Sequence, residues 1–295
     1  MPGELQIEHR PELERPVMVA AFRGWNDGAQ GASLAGGYLA KTWNAQQFAS
    51  IDPEDFYDFQ ATRPMVSLVE GITRRIDWPD NDFYHASPEG LGRDALLLLG
   101  VEPNLRWRRF TSLIVELARE HEVELVVTLG ALLADVPHTR PSPVTGTASD
   151  PELVERLGLQ ASRYEGPTGI VGVLHDACRE ASLPSVSLWA AVPHYVSLAP
   201  SPRAALALCE RLGNLLEAGI DTSELEQAVE AYTQRVTEAV STDEDTAEYV
   251  HELERRAEMI DESDLPSGDS LAAELTRFLR ERDEEDKPPD VATDQ

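Results

Sequence analysis

The sequence predicts an α/β fold in which helices cover both faces of a mostly parallel β-sheet, followed by a C-terminal helical hairpin. Short apolar runs of strand length alternate with helical segments as far as about residue 200, an alternation typical of parallel sheets covered on both faces. Beyond residue 220 the apolar residues recur every three or four positions, which is the spacing of a helical seam. No apolar run reaches the ~18 residues that a membrane span needs, so we expect a globular protein without membrane contact.

The first half of the chain begins with an apolar run and a glycine-rich turn. Short apolar runs bounded by turn residues indicate strands, and Asn or Asp before a helix can accept hydrogen bonds from its first amides. The predicted elements are a strand at 16–22, a helix ending near Trp43 and capped by Asn26 or Asp27, a strand in QQFASI, a strand pair hinged at Glu70 and Gly71, a strand in DALLLLG, and a helix capped by Asn104 and ending near His121.

The second half continues the alternation and then becomes helical. The predicted elements are a strand in VELVVTLGALLA, a loop at 135–150 with three prolines, two helices near 151–157 and 169–181, a strand in PSVSLWAAV, and helices after Ser201. Two apolar seams, at 225–239 and 246–260, indicate two helices of a hairpin, and Ser241 with Glu244 fits a capping box that opens the second helix.

These elements suggest four parts of the chain. We expect an N-terminal extension (1–15), an α/β/α core domain (16–220), a helical hairpin (221–260) and an acidic tail (261–295) that is partly disordered. Within the tail, a short amphipathic helix near 270–282 is expected to dock on the protein itself or on a partner. Its apolar stripe consists of Leu271, Leu275, Phe278 and Leu279.

Charge restricts the classes of partner. The chain has 53 acidic and 25 basic residues and a net charge of −28, which argues against nucleic acid, because a nucleic-acid partner requires a basic face. The polar N-terminus lacks a secretory signal, so a cytoplasmic location is expected. Cys178 and Cys209 lie among apolar neighbours, where they either form a disulfide or, as a cytosolic chain favours, stay reduced and buried.

Two turns that follow strands contain residues capable of binding an anion. GWNDGAQG has neither the dinucleotide nor the P-loop spacing, and its glycines are read as shaping the turn. Ser33 lies inside the helix, where a nucleophile elbow cannot form. In GVEPNLRWRRF, the arginines at 106, 108 and 109 stand at a helix N-terminus, where they oppose the helix dipole. They therefore either pair with acids such as Glu102 or bind an anion.

The tripeptide Val-Pro-His follows two predicted strands and ends in His138 and His194. The carboxyl ends of parallel strands meet at one edge of a sheet, where ligands bind in open α/β folds. The candidate pocket residues at this edge are Gly24, Asn26, Asp27, Glu102, Asn104, Arg106, Asp135, His138, Arg140 and His194. In one reading, His138, His194 and Asp135 perform acid–base chemistry. In the other, each proline ends a strand and each histidine satisfies backbone groups there. Without tight ligand spacing, neither a metal nor a cofactor is predicted.

Four segments together carry a family resemblance: VMVAAFRGWNDGAQGASLAGGYL, VEPNLRWRRF, VVTLGALLADVPHTRPSPVTG and GPTGIVGVLHDACREASLPSVSLWAAVPHYV. In the same order, they resemble the proteasome assembly chaperone 2 family in its actinobacterial branch. The resemblance implies an α/β/α sandwich like that of purine nucleoside phosphorylases, self-association (a trimer being one form) and a proteasome subunit as client. It brings no catalytic residues. Some archaeal relatives bind the proteasome through a hydrophobic-Tyr-X tail, from which the ending Ala-Thr-Asp-Gln departs.

Two functions follow as hypotheses. The first, which the resemblance favours, is a non-catalytic chaperone or scaffold whose hairpin and sheet edge contact client subunits. It predicts that His138 and His194 are satisfied inside the fold. The second is a phosphorylase or hydrolase acting on a small anionic or nucleoside-like ligand. It predicts a deep crevice in which Arg140 converges with both histidines.

Overall fold

The computed structural model describes residues 3–69, 73–148, 154, 165–196 and 198–259. Eight strands form one sheet, and two form a separate pair. In chain order, the strands are β1 (Leu5–Ile7), β2 (Val17–Arg23), β3 (Gln46–Ile51), β4 (Met65–Val69), β5 (Thr73–Asp77), β6 (Asn81–Ala86), β7 (Ala95–Val101), β8 (Leu125–Ala134), β9 (Val144–Ala148) and β10 (Ser185–Pro193). The large sheet has the order β1-β3-β6-β7-β2-β8-β10-β9.

The centre of the large sheet is parallel. β7, β2, β8 and β10 pair in parallel, with Val17 opposite both Ala95 and Leu125. The outer strands β6 and β9 join this block antiparallel, and β3 runs antiparallel to β6, so five of the eight strands share one direction. The first six residues of β2 are all buried, as expected for a strand covered on both faces.

Six α-helices have bounds in the described part of the chain. They are α1 (Gly31–Thr42), α2 (Trp107–Glu120), α3 (Ile170–Glu180), α4 (Pro202–Leu216), α5 (Ser223–Val240) and α6 (Glu244–Met259). Helices α1 and α4 pack on one face through residues such as Leu39 and Leu208. Helices α2 and α3 pack on the other face through residues such as Ile114 and Leu174. The predicted three-layer α/β/α architecture and the C-terminal helices are confirmed.

Several local predictions are also confirmed. Cys178 and Cys209 are buried and free, and burial raises the pKa of both thiols to about 12. On α5, the seam residues Leu225, Val229 and Tyr232 are buried. The strand pair is present as β4 and β5, although its predicted hinge lies outside the described residues. No helix in the described ranges is long and apolar enough to cross a membrane.

Other local predictions are wrong. The helix α2 begins at Trp107, with Arg106 at its N-cap, because the Asn104 side chain binds a preceding turn instead. The prediction that Ser241 and Glu244 form a capping box is also wrong. Ser241 is the C-cap of α5, and its hydroxyl donates to the carbonyl of Glu238, while Asp243 accepts the Thr246 amide at 2.8 Å.

The region between the two Val-Pro-His copies differs from the prediction at one point. The segment predicted to be a loop contains strand β9, which pairs with β10 and closes that edge of the sheet. Of the helix predicted near 151–157 only Val154 is described, and it is helical. The tail 261–295, with the helix predicted near 270–282, lies outside the described residues.

Candidate functional site

The candidate residues divide into two groups at the carboxyl edge of the parallel strands. Those of the first group follow β2 and β7, and are Gly24, Asn26, Asp27, Glu102, Asn104 and Arg106. Those of the second group follow β8 and β10, and are Asp135, His138, Arg140 and His194. Each group has its own set of partners, and these partners show what its side chains do.

In the first group, the Glu102 carboxylate joins three segments. It accepts hydrogen bonds from the amide of Trp25 (3.1 Å), the side-chain amide of Asn26 (3.1 Å) and the amide of Ile170 (2.8 Å). Because Ile170 is the first residue of α3, the negative charge also lies at the positive end of a helix dipole. A Cβ on Gly24, whose φ is +140°, would lie 2.8 Å from the Glu102 Cβ, so glycine permits this close approach. Glu102 therefore ties together the ends of β2, β7 and α3.

Asp27 caps the helix that follows β2. Its Oδ1 atom accepts hydrogen bonds from the amides of Ala32 (2.8 Å) and Ser33 (3.1 Å) in the first turn of α1. The prediction that this residue caps α1 is thus confirmed, although Gln30 directly precedes the helix. The carboxyl group is buried, and burial raises its pKa. Its observed contacts are those of a structural cap.

Asn104 and Arg106 bind the segment that follows β3. The side-chain oxygen of Asn104 accepts hydrogen bonds from the Asp58 amide (3.1 Å) and the Thr62 hydroxyl (3.0 Å).

Arg106 lies 2.8 Å from Asp55 and 3.4 Å from Glu4, and its guanidinium stands over the Phe56 ring. Of the two alternatives for the arginines, pairing with acids or binding an anion, Arg106 and Arg109 follow the first. Their partners are Glu4, Asp55 and Glu116, while Glu102 is used elsewhere.

In the second group, His138 is 1% exposed and has partners on both ring nitrogens. Its Nδ1 atom lies 2.8 Å from the Tyr195 hydroxyl, and its Nε2 atom lies 3.0 Å from the Thr237 hydroxyl. Burial lowers the pKa of His138, which favours the neutral ring with one donor and one acceptor nitrogen. His138 therefore links the ends of β8 and β10 to helix α5.

Asp135, Arg140 and His194 contact helix α6 or its neighbours. The His194 Nδ1 atom lies 3.1 Å from Asp135, which also accepts a hydrogen bond from the Tyr249 hydroxyl at 2.8 Å. The Tyr249 ring stands edge-on to His194, with centroids 5.6 Å apart. Arg140 donates to Glu258 at 2.5 Å. The hairpin is thus fastened across the edge where the sequence predicted a crevice.

A hollow that the sequence did not predict lies beside the ends of β2 and β7, on the side of α1. Its volume is about 330 Å³, and its polar lining consists of Arg23, Gln30, Ser33, Asp80, Asp82 and Tyr84. The Asp82 carboxylate accepts from the Tyr84 hydroxyl at 3.4 Å, and Arg23 pairs with Asp80 at 2.9 Å. Strand β6 was not predicted, so Asp82 was not placed at this edge. The alternation of NDFYHA, in which Asn81 and Phe83 are buried, was the available signal.

Burial, with the nearby charge of Asp80, raises the pKa of Asp82 to about 6. A carboxyl group with this pKa can exchange a proton near neutral pH and hydrogen-bond a polar ligand. The hollow therefore has the chemistry to bind a small polar ligand.

We expect the Asp82→Asn variant to show how this proton affects stability. The folded-state pKa of Asp82 lies above the ordinary value, so stabilisation by its proton is full below about pH 4 and is lost as the pH rises to about 6. The wild type therefore loses stability across this interval, whereas the variant does not titrate here. The unfolding free energy of the variant should rise by about 1–2 kcal/mol relative to that of the wild type between these pH values, and the difference should stay constant above them. Urea denaturation at several pH values measures this difference. A difference that stays constant from pH 4 to 8 would contradict the pKa.

A sequence model of the PAC2 family matches residues 21–240. The chain belongs to the PAC2 family. A solved PAC2 family protein from Streptomyces avermitilis is 49% identical, with a TM-score of 0.74, over 80% of this chain and 99% of that one. A Mycobacterium tuberculosis protein, described as a proteasome-assembly chaperone homologue, is 46% identical, with a TM-score of 0.73, over 79% of this chain and 99% of that one.

A protein of much lower sequence identity has the same fold. An archaeal proteasome activator from Pyrococcus furiosus has a TM-score of 0.64 and 16% identity, over 80% of this chain and 97% of that one. At this identity the likeness shows the fold alone. No curated protein sequence matches the chain.

Proposed function

We propose that this PAC2 family protein is a non-catalytic assembly chaperone or scaffold that acts on a proteasome-related complex. Two comparisons support the choice of complex. The M. tuberculosis relative is described as a proteasome-assembly chaperone homologue, and the archaeal protein with the same fold is a proteasome activator. Such a role implies a cytoplasmic location for this chain.

The observation that carries the proposal is the set of partners around His138. Both ring nitrogens have a hydroxyl partner within 3.0 Å, and the side chain is buried. A general base or acid must reach the proton that it transfers, and this ring is instead held between Tyr195 and Thr237. Arg140, which the enzyme hypothesis requires beside the histidines, pairs with Glu258 on α6. These contacts support the interpretation that His138 and Arg140 hold the hairpin on the sheet edge and do not act on a substrate.

The proposed client surface is the helical hairpin with the groove beside it. The groove has a volume of about 480 Å³ and is lined by Tyr195, Val196, Leu198, Arg235, Val236, Ala239, Val240, Asp243 and Thr246. Leu198 is exposed within it, so an apolar side chain of a partner could be buried there. Residues 223–259 carry eleven acids and three arginines, which favours a client whose contact surface has a basic rim.

The hollow around Asp82 favours a second candidate function, the binding or turnover of a small polar ligand. It combines two carboxylates, an arginine and a tyrosine hydroxyl at the end of parallel strands, a place where ligands bind in open α/β sheets. A phosphorylase or hydrolase activity would then use the residues of this hollow, and not the histidines of the two Val-Pro-His copies.

Native mass spectrometry of the protein isolated gently from its own cells separates the two functions. A chaperone is expected to carry a second protein at fixed stoichiometry. A small-molecule function is expected to leave a small additional mass on the chain.

A further inference from the structure

Strands β4 and β5 form an arm whose two faces are both open to solvent. Among the described residues, β4 pairs with β5 alone and joins no strand of the large sheet. Residues opposite each other in an antiparallel pair lie on the same face, and Val66 faces Ile76 while Leu68 faces Arg74. One face of the arm, called here the apolar face, therefore carries Val66, Leu68, Ile76 and Arg74.

The exposure of this face is large for a two-stranded sheet. Val66 is 60% exposed, Leu68 is 63% exposed and Ile76 is 53% exposed. Trp78, at the base of the arm, makes an edge-to-face contact with Phe59 and is itself exposed. An isolated two-stranded hairpin is at best marginally stable in water, and contiguous exposed apolar side chains mark interaction surfaces. A partner that covers the apolar face would stabilise the arm.

The charge of the arm indicates what this partner is. Residues 63–78 contain three arginines and only two of the 53 acidic residues of the chain. Arg63, Arg74 and Arg75 are exposed, and Arg75 pairs with Asp77 of the same arm at 2.6 Å. The arm therefore has a net charge of +1 on a protein whose net charge is −28. Complementarity favours an acidic surface as the docking site. The body of a second copy of this chain provides one, because its residues 1–220 include 29 acidic and 18 basic residues.

We propose that the arm docks, through its apolar face and Arg74, on the acidic body of a second copy of this chain. Val66, Leu68 and Ile76 lose their contact with water, and Arg74 faces carboxylates of the neighbouring copy. Arm and body are different surfaces, so the contact is heterologous and closes into a ring when repeated around an axis. This interface is separate from the proposed client surface and does not depend on the identity of the client.

Sedimentation velocity of the full-length chain tests the docking, with Leu68→Asp as the disrupting variant. Val69→Asp is the matched control, because Val69 lies on the opposite face of the same arm, where it pairs with Thr73. We expect the wild type and the control to self-associate at micromolar concentration. The Leu68→Asp variant should weaken association by about ten-fold or more, and Arg74→Glu should weaken it as well.

Circular dichroism melting shows whether the body of each variant is folded. We expect every variant to fold, because the substituted side chains are exposed. A wild type that remains monomeric at high concentration would overturn the docking. The same holds if Leu68→Asp and Val69→Asp associate equally well. If Leu68→Asp abolished binding of a client protein while leaving self-association unchanged, the arm would serve the client and the second copy would be the wrong occupant.

Discussion

Replacing His138 with alanine is expected to lower the free energy of unfolding by about 3 kcal/mol. The substitution removes both hydrogen bonds of the buried ring, to Tyr195 and to Thr237. It removes the ring partner of both hydroxyls, although the amide of residue 138 still donates to Tyr195, and it opens a cavity between the sheet edge and α5. Urea denaturation measures the loss. Hydrogen exchange should also increase in α5, because one of its attachments to the sheet is gone.

The matched control is His194→Ala at the other Val-Pro-His. The His194 side chain is 30% exposed and contacts Asp135, so its removal should cost about 1 kcal/mol. We expect the double variant to be strongly destabilised. A double variant that unfolds like the wild type but loses a bound small molecule would instead support the enzyme hypothesis.

Replacing Glu102 with alanine is expected to lower the free energy of unfolding by about 3 kcal/mol as well. The carboxylate accepts three hydrogen bonds, two of them from backbone amides that begin separate segments. The space around it is tight: a Cβ on Gly169 would lie 2.6 Å from the Glu102 Oε1 atom. Loss of the carboxylate therefore leaves the first turn of α3 without its acceptor. Hydrogen exchange at the amide of Ile170 reports this change directly.

Glu102→Gln serves as the isosteric control. The amide keeps one acceptor oxygen at nearly the same position, so about half of the stability should return. Equal stability of the alanine variant and the wild type would show that the carboxylate contributes nothing to the join between β2, β7 and α3.

The sequence predicted the sheet and its helical layers because both depend on local patterns. Strands β2, β7, β8 and β10 are visible as mostly apolar segments, with few polar residues such as Thr128 and Ser187. Segments of this kind are typical of strands covered on both faces. The seam of α5 was visible in the same way. Caps were less predictable, because Asn104 had a competing partner in the turn at Asp58, which no local pattern reveals.

The contacts of the candidate site could not be predicted, because they depend on long-range packing. His138 meets Thr237 only because α5 lies against the end of β8, about a hundred residues further along the chain. Asp82 enters the hollow because β6 pairs antiparallel with β7, and the alternation within NDFYHA does not show which strand β6 will join. The sequence therefore placed the Val-Pro-His residues at the correct edge without showing that the hairpin binds them.

Native mass spectrometry of the full chain, purified gently from its own cells, tests the proposed function most directly. We expect a complex with proteasome subunits at fixed stoichiometry, and weaker capture by a variant in which Leu198, in the hairpin groove, is replaced by aspartate. The Leu105→Asp variant, altered at an exposed leucine outside that groove, should capture the subunits like the wild type. A chain that carries no second protein, but a small bound molecule lost in Asp82→Asn, would contradict the chaperone function and establish the hollow as the site.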